Sequence, residues 1–486
     1  MRRGLCLLIA SALSAGAGCA LRDPHPEMAL LYNESASHYG PDRNPIVVIP
    51  GILGSRLRDR ATGSVVWGAF EPPFADPQTE TGARQIALPI ADIPLDELRD
   101  DVEPIGVLER VRIRLLGLPI DVPAYAGILS TLGAGGYRDE ALGLAGEVDY
   151  GDDHFTCFQF GYDWRRDNVE NARRLHAFLV EKREYVRARY RRRFGVDVPD
   201  IRFDIVAHSM GGLLTRYLLM YGDADLPTDG SLPPVTWDGA KLVERVVLVG
   251  TPSGGSVRAF LQLVEGQQLA PLLPFYPPAI LGTFASVYQL LPRVRHRAVR
   301  WAGGGEDAID LFDPAVWEAM GWGLASPTEE PMLATLMPEV PDAAERSQVA
   351  RALQARLLRR AEQFQRALDR PVSTPAGLDL FLVAGDAIDT AAVVAVDRAD
   401  GGLRVVAQAP GDGTVLRSSA LLDERVGGAW SPQLRTPMEF RSALLLPAGH
   451  LQLTTMDVFR DNVLFWLLDM PRGQRPPHSA ATVGSP

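Results

Sequence analysis

A serine flanked by small residues stands where an apolar strand is predicted to give way to a helix. The sequence A-H-S-M-G at 207–211 follows a β-branched run and precedes the apolar-faced segment 213–220. This is the setting of a nucleophile elbow, a sharp turn that exposes a serine hydroxyl and needs small residues two positions before and after it. The usual pattern is G-x-S-x-G, from which Ala207 is a modest departure. Ser209 is therefore a candidate nucleophile, and the alternative is a serine that caps a helix.

A serine nucleophile needs a base, which in such folds comes later in the chain. Of eight histidines, three follow the elbow. His296 stands among arginines, and His478 lies in a tail that is predicted to be disordered. His450 follows an apolar strand and a turn, just before a predicted helix at 457–468. We expect His450 to be the base, and the alternative is a structural loop histidine.

Two aspartates are candidates for the acid that orients this histidine. Asp412 stands between two glycines in the sequence GDGTV, and Asp386 follows the apolar run FLVAG. A glycine-flanked aspartate is also a common turn residue. The residue types alone therefore leave both candidates open.

Attack on an ester carbonyl creates an oxyanion, which N–H donors held in place beforehand can stabilise. One candidate donor is the amide of Met210, directly after the nucleophile. The other is expected from the turn PGILG at 50–54, where Ile52 is the candidate. The alternative for this segment is an ordinary β-turn.

Alternating strands and helices indicate the fold that must position these residues. Such alternation implies a parallel, doubly wound sheet with right-handed crossovers. The predicted fold class is therefore α/β. The predicted strands lie at 45–49, 155–160, 201–207, 242–249 and 381–384, and the main helices at 125–132, about 168–194, 213–220 and about 344–368.

Composition divides the chain into segments. Arg2 and Arg3 precede an apolar run that ends at Leu13, as in an export signal. The Pro-rich stretch from 256 is too long for a structureless loop and is predicted to be a folded cap insertion. The predicted segments are a signal at 1–18, a spacer at 19–43, a core at 44–255 with a lid-like loop at about 56–122, the cap at 256–375, the rest of the core at 376–470 and a disordered tail at 471–486.

The end of the signal resembles a bacterial lipobox, in which a cysteine after small residues becomes acylated. Ala17 and Gly18 precede Cys19, although Gly16 departs from that pattern. We expect an exported protein, lipid-anchored to the outer membrane or periplasmic in a bacterium, and the alternative to lipidation is plain cleavage near Ala17. Cys157 is left with no stable partner, so we expect the core rather than disulfides to stabilise the fold.

Charge and composition argue against several classes of function. The net charge is −11 and the pI is about 5.3, which disfavours a nucleic-acid partner. Beyond the first two dozen residues or so, no apolar stretch is long enough for a membrane-spanning helix. The H-E-x-x-H and G-x-x-x-x-G-K-[ST] motifs are both missing, so we predict no metal and no cofactor.

Four short motifs together resemble the lecithin:cholesterol acyltransferase family, which includes lysosomal phospholipase A and the phospholipid:diacylglycerol acyltransferases. The resemblance covers about residues 44–470. The FGYDWR motif is the most specific, because generic α/β hydrolases lack it. The motifs are PIVVIPGILGSRL with Trp67 downstream, FGYDWR at 160–165, IVAHSMGG at 205–212, and GDGTV at 411–415 followed by GH at 449–450.

The resemblance implies an α/β-hydrolase fold and a role for each candidate. Ser209 would be the nucleophile, His450 the base and Asp412, in preference to Asp386, the acid. The oxyanion donors would be Ile52 and Met210. The implied chemistry is an acyl-serine intermediate, made from a phospholipid or another lipid ester and passed to water or to an alcohol.

Four further residues in these motifs are candidates for substrate binding: Trp67, Tyr162, Asp163 and Trp164. The alternative for the last three is core packing near a strand end. The chain departs from the animal enzymes because residues 56–122 contain no cysteine for a disulfide-bridged lid.

The expected partner is therefore a lipid substrate at a membrane surface. Two other functions stay open at this point: an esterase that acts on soluble substrates, and a non-catalytic lipid-binding surface protein of the same fold.

Overall fold

The structure is a computed structural model that describes residues 28–70, 74–115, 118–268, 273–304 and 308–472. The predicted signal at 1–18 and Cys19 lie outside the described residues. So do residues 473–486 of the predicted tail.

A six-stranded parallel sheet forms the centre of the protein. Its strands are β1 (Ile46–Ile49), β2 (Cys157–Gln159), β3 (Phe203–His208), β4 (Val243–Val249), β5 (Asp379–Gly385) and β6 (Ser442–Leu446). The spatial order is β2-β1-β3-β4-β5-β6, and each neighbouring pair is parallel. The chain order reverses beside β1, and ligands of such sheets bind at the carboxyl ends of the strands near that reversal.

The strands are apolar throughout because both faces of a parallel sheet are covered. Every residue of β1, β3 and β4 is buried. In β1, Val47 and Ile49 pack into the cluster on one face, whereas Ile46 and Val48 pack into the cluster on the other. The sheet is therefore the middle of three layers.

Helices form the two outer layers. The main ones are α1 (Ala126–Ala134), α2 (Asn168–Phe194), α3 (Met210–Tyr221), α4 (Val257–Glu265), α5 (Ala343–Leu368) and α6 (Asp457–Leu464). Apolar residues of α2 and α3 join one face of the sheet, and those of α1 and α6 join the other. The limits of α2 match the prediction. The Asp167 side chain caps the start of this helix, and Gly195, at φ +67°, ends it.

The predicted lid-like loop at 56–122 contains two small sheets. Their strands have only two to six residues, so they leave little periodicity in the sequence. One sheet is formed by Ser55–Asp59, Val65–Trp67 and Val102–Val107, and the other by Ala69–Phe70, Arg110–Leu115 and Leu118–Pro123. The short helix Glu80–Ile86 completes this part, and the short helix Glu140–Leu144 follows α1.

The segment at 256–375 is folded, and a hairpin from later in the chain joins it. The strands Ile388–Val396 and Leu403–Gly411 form this hairpin, which pairs with Val299–Trp301 rather than with the central sheet. The hairpin lies within the segment predicted as core at 376–470. The other elements of the insertion are Gln267–Gln268, Phe275–Tyr276, Pro278–Leu281, Ala285–Gln289, Val294–His296, Pro314–Met320, Gly323–Ala325, Pro327–Glu329 and Glu330–Leu336.

Residues at both described ends are bonded to the core. In the predicted spacer, between the helices Met28–Leu31 and Asn33–Ser37, Tyr32 is buried and its hydroxyl lies 3.0 Å from a carboxylate oxygen of Asp461. In the predicted tail, Arg472 forms an ion pair of 2.6 Å with the buried Asp204. The remaining described elements are Gly239–Leu242, Arg417–Ala420, Gln452–Thr455 and the π-helical turn Phe465–Asp469.

The sheet order, the reversal at β1 and the strand-turn-helix at Ser209 are those of the α/β-hydrolase fold, as predicted. None of the helices in the described ranges is long and apolar enough to cross a membrane.

Candidate active site

Ser209 lies in a strained turn between β3 and α3. Its backbone has φ 52° and ψ −127°, a conformation that non-glycine residues rarely adopt. The turn is attached to the end of β4, because the Ser209 amide donates to the Val249 carbonyl at 2.7 Å. A side chain at Gly211 would collide with the carbonyl oxygen of Pro50. The small residue two positions after the serine is therefore required by the close approach of the turn after β1.

His450 lies in the loop after β6 and reaches back to the serine. Its Nε2 is 2.8 Å from the Ser209 hydroxyl oxygen. Gly250, at φ +56°, makes room for this imidazole, since a Cβ there would lie 3.2 Å from two ring atoms of His450. The other described candidate, His296, is buried beside Glu424, with 3.5 Å between its Nε2 and that carboxylate.

Asp412 is the carboxylate that meets His450. Its Oδ2 is 2.8 Å from Nδ1 of the imidazole, and its Oδ1 accepts the amides of Thr414 and Val415 at 2.9 and 2.7 Å. Burial alone would raise the pKa of this carboxyl, but the hydrogen bond from His450 and the two amides hold the pKa below its usual value. Asp412 therefore stays ionised as the acceptor of the Nδ1 proton.

A glycine at the end of β5 leaves room for Asp412 beside His450. The hairpin inserted between β5 and β6 returns the chain to the end of β5, where a Cβ on Gly385 would lie 2.5 Å from the Cβ of Asp412. The competing candidate Asp386 lies beside Arg417, with 4.0 Å between the charged atoms. The structure thus pairs His450 with Asp412 and not with Asp386.

These contacts fix where the protons lie. Because Asp412 can only accept, Nδ1 of His450 carries the proton, and Nε2 is left to accept from the Ser209 hydroxyl. A hydroxyl whose proton is taken up by a neighbouring imidazole can attack an ester carbonyl. The arrangement is therefore chemically able to form an acyl-serine.

The turn after β1 brings a second backbone amide close to the serine. Residues 51–54 form a β-turn in which the Gly54 amide donates to the Gly51 carbonyl at 3.1 Å. The amides of Ile52 and Met210 have no hydrogen-bond partner within the described residues. Neither amide is therefore used within the described fold, as the predicted oxyanion site requires.

Three of the candidates for substrate binding are aromatic residues that hydrogen-bond to backbone carbonyls in this turn or next to it. The Tyr162 hydroxyl donates to the carbonyl of Pro50 at 2.9 Å, and the indole N–H of Trp164 donates to the carbonyl of Ser55 at 3.2 Å. The indole N–H of Trp67 donates to the carbonyl of Leu53 at 2.8 Å. All three rings are buried. The structure gives them a role in shaping the turn, and substrate contact remains a prediction.

Asp163 takes part in a buried ion-pair cluster. Its carboxylate accepts from Arg165 at 2.8 Å, and Arg165 also pairs with Asp100 at 2.7 Å. Burial disfavours the charge of Arg165, but the two carboxylates outweigh this effect and raise its pKa. Asp163 therefore anchors the motif to the neighbouring segment, and its contact with substrate also remains a prediction.

Sequence reasoning missed two polar side chains at this site. Tyr125 was expected only as an apolar residue of a helix, and His208 only as a variable position of the serine motif. In the structure their side chains bond to each other at 2.9 Å, with Tyr125 also bonded to Gly51 and His208 to His450. No spacing rule connects residues 83 positions apart, so the sequence carried no signal for this contact.

No group of three or more His, Cys, Asp or Glu side chains in the part of the chain that the structure describes is arranged to hold a metal ion.

Comparison with known proteins supports the family resemblance. Residues 147–315 match the family model described as lecithin:cholesterol acyltransferase. This segment contains the FGYDWR and AHSMGG motifs, whereas Asp412 and His450 lie beyond it. The predicted resemblance is therefore confirmed over this part of the chain.

Several solved structures are similar to this chain at low sequence identity. A chain of the Tle4–Tli4 complex is 14% identical, with 88% of this chain and 98% of that chain covered and a TM-score of 0.47. The mature lipase BlEst2 of Bacillus licheniformis is 13% identical, with 89% and 94% covered and a TM-score of 0.31. Lipase 1 of Pelosinus fermentans is 14% identical, with 88% and 99% covered and a TM-score of 0.33. No curated protein sequence matches this chain.

Proposed function

Starting from the family match over residues 147–315, we propose that this protein is a serine-dependent lipid acyltransferase or phospholipase. It would form an acyl-Ser209 intermediate from a phospholipid or another lipid ester. The observation that carries the proposal is the hydrogen-bonded series from Asp412 through His450 to Ser209, with 2.8 Å at each step.

In the proposed acylation step, the Ser209 oxygen attacks the ester carbonyl carbon while Nε2 of His450 takes the hydroxyl proton. The carbonyl oxygen becomes an oxyanion that accepts hydrogen bonds from the amides of Ile52 and Met210. When the tetrahedral intermediate collapses, the carbon–oxygen bond to the leaving alcohol breaks. That alcohol leaves with the proton from His450, and the acyl group stays on Ser209.

In the proposed second step, water or an acceptor alcohol attacks the acyl-Ser209 carbonyl. His450 removes a proton from the attacking oxygen and returns it to the Ser209 oxygen as the acyl bond breaks. Asp412 remains ionised throughout and stabilises the imidazolium that forms in each step. The products are a free fatty acid with water, or a new ester with an alcohol.

Transfer to an alcohol needs a site that limits competition from water. The insertion at 256–375 begins beside the acid loop, since the Ser256 hydroxyl donates to the carbonyl of Thr414 at 2.9 Å. The amphipathic helix α4 starts at the next residue, with Val257, Phe260 and Leu263 on its buried face. We propose that this insertion shields the acyl-serine from water.

We place the substrate at a membrane surface, and we propose export and lipid anchoring through Cys19. Replacement of Cys19 by alanine should release the protein from membranes into the soluble fraction. A variant that fractionates with membranes as the wild type does would contradict the anchor, while leaving the chemistry at Ser209 untouched.

The experiment that tests the proposed function compares lipid products from phosphatidylcholine vesicles, with and without a long-chain alcohol. The wild type should release lysophospholipid together with a fatty acid or a fatty ester. Ser209→Ala should release none, whereas Ser347→Ala, which changes a serine in helix α5, should behave as the wild type does. Identical products from the wild type and Ser209→Ala would overturn the proposal. Hydrolysis of soluble esters alone would favour the soluble-substrate esterase.

A further inference from the structure

Behind the nucleophile, the hydroxyl of Tyr125 lies between the turn after β1 and the nucleophile elbow. It accepts the backbone N–H of Gly51 at 2.7 Å and lies 2.9 Å from Nδ1 of His208. His208 directly precedes Ser209, and Tyr125 directly precedes helix α1. The two side chains, called the Tyr125–His208 pair below, therefore connect two separate elements of the site.

The other nitrogen of His208 connects a third element. Its Nε2 lies 3.1 Å from the backbone carbonyl of His450, which can only accept a hydrogen bond. Nε2 must therefore carry the proton. If the imidazole is neutral, Nδ1 accepts from the Tyr125 hydroxyl, whose own oxygen accepts from Gly51. One arrangement of protons thus satisfies every group from Gly51 to His450.

The surroundings of His208 favour this neutral form. Burial, together with the nearby His450, lowers the pKa of His208 to about 3. Only 1% of the residue is exposed, and only 3% of Tyr125. The Tyr125 and His208 rings meet edge to face at 5.5 Å, and the rings of His208 and His450 are 4.7 Å apart. The Tyr125–His208 pair is therefore packed in place as well as hydrogen-bonded.

The hydrogen-bonded series that runs from Gly51 through Tyr125 and His208 to His450 ends at two groups with proposed roles in the reaction. Gly51 directly precedes Ile52, the proposed oxyanion donor, and its Cα faces the Cβ of Ser209. His450 is the proposed base, and its own amide donates to the carbonyl of Asp412 at 3.0 Å. A shift at either end would misplace an oxyanion donor or the base relative to Ser209.

We propose that Tyr125 and His208 are positioning residues, which hold the Ile52 turn and the His450 loop in register with Ser209. This inference rests on the proposed function, since it concerns the same reaction. The pair has no hydrogen bond to the Ser209 hydroxyl or to Nε2 of His450; it acts through Gly51, the His450 carbonyl and packing beside the His450 ring. Its loss should therefore lower kcat and leave the binding of a small substrate unchanged.

The test uses the full-length protein, a soluble p-nitrophenyl ester and a fluorophosphonate. Tyr125→Phe removes only the hydroxyl. His208→Gln keeps an N–H that can reach the His450 carbonyl, whereas His208→Met, of similar length, does not. The matched control is Tyr221→Phe, which removes another buried hydroxyl, bonded to the Ala367 carbonyl at 2.9 Å at the far end of α3.

We expect Tyr125→Phe to lower kcat about tenfold, less than the roughly 10²–10³-fold loss that follows removal of an oxyanion donor itself. KM for the small ester should not change. His208→Met should lose more kcat than His208→Gln, and the rate of fluorophosphonate labelling should follow kcat. Tyr221→Phe should keep the wild-type kcat even if its melting temperature falls.

The outcomes separate this inference from the proposed function. Wild-type kcat in Tyr125→Phe and His208→Met would overturn the positioning role, while leaving Ser209 as the nucleophile. Losses that only match the fraction of unfolded protein would overturn it too, because they would show a purely structural role. If Ser209→Ala hydrolyses the ester as fast as the wild type, or if the wild type reacts with neither probe, the proposed function fails and the inference fails with it.

Discussion

Gly51 and Ser209 approach so closely that a methyl group on the Cα of Gly51 would lie 2.6 Å from the Cβ of Ser209 and 3.2 Å from its hydroxyl oxygen. The turn after β1 and the nucleophile elbow are thus in direct contact. A glycine is required at position 51 by the space available rather than by an unusual backbone angle.

Gly51→Ala should therefore separate the turn from the serine and displace the amide of Ile52. We expect a loss of about 100-fold in kcat, the scale of a misplacement of about 1 Å in an active site. The measurement is kcat on a soluble ester, with circular dichroism to confirm folding. Gly133→Ala is the control, because a Cβ at this helix position would meet nothing within 4 Å. Full activity in Gly51→Ala would contradict the proposed oxyanion site.

Asp412→Asn should lower kcat by about 10³–10⁴-fold. The amide oxygen of the new side chain would still accept hydrogen bonds from the Thr414 and Val415 amides. Its NH₂ group would therefore face Nδ1 of His450. The proton of His450 would then move to Nε2, which could no longer accept from Ser209. The control is Asp386→Asn, which should retain activity. If Asp386→Asn loses activity and Asp412→Asn does not, the assignment of the acid is wrong.

The buried arginine of the FGYDWR motif should stabilise the fold strongly. Arg165→Met leaves Asp163 and Asp100 without their shared partner, and breaking a buried ion pair costs about 3–5 kcal/mol. The exposed pair of Arg58 and Glu103 is the comparison, since Arg58→Met should cost less than about 1 kcal/mol. Urea unfolding measures both free energies of unfolding. Equal losses in the two variants would show that the Arg165 cluster is not a strong anchor.

The buried His208 should make the protein lose stability as the pH falls. The pKa of its imidazole is about 3 in the folded state and about 6.5 in the unfolded chain. Below pH 6.5 the imidazole is therefore protonated in the unfolded chain while it stays neutral in the folded protein, which favours unfolding. Between pH 7 and 4.5 this difference should cost the wild type on the order of 2 kcal/mol. His208→Met removes this contribution. His154 is a second buried histidine, whose pKa burial lowers to about 4, but it is present in both proteins and so does not affect the comparison. Parallel plots of stability against pH for the two proteins would contradict the neutral, buried state of His208.

Much of the scaffold could be predicted because its signals are local. The helix Asn168–Phe194 has an aspartate cap, an apolar face and a terminal glycine within one stretch of sequence. Strands β1 and β4 of the central sheet are short runs rich in β-branched residues. Each of these features depends only on neighbouring residues, so the pattern was sufficient.

The parts that could not be predicted depend on contacts between distant residues. The hairpin strand Ile388–Val396 pairs with Val299–Trp301, and this pairing has no local signal in the sequence. Residue type left Asp386 and Asp412 open, and only the resemblance favoured Asp412. Tyr125 fits an apolar helix pattern equally well with or without a polar partner, so its bond to Gly51 appears only in three dimensions.

The most direct test of the central claim is to find where a fluorophosphonate attaches. After reaction and digestion, mass spectrometry of the wild type should show one adduct, on Ser209. Ser209→Ala should show no adduct, and His450→Gln should react far more slowly, because nothing would accept the hydroxyl proton. An adduct on another residue, or wild-type labelling of His450→Gln, would contradict the claim that His450 activates Ser209.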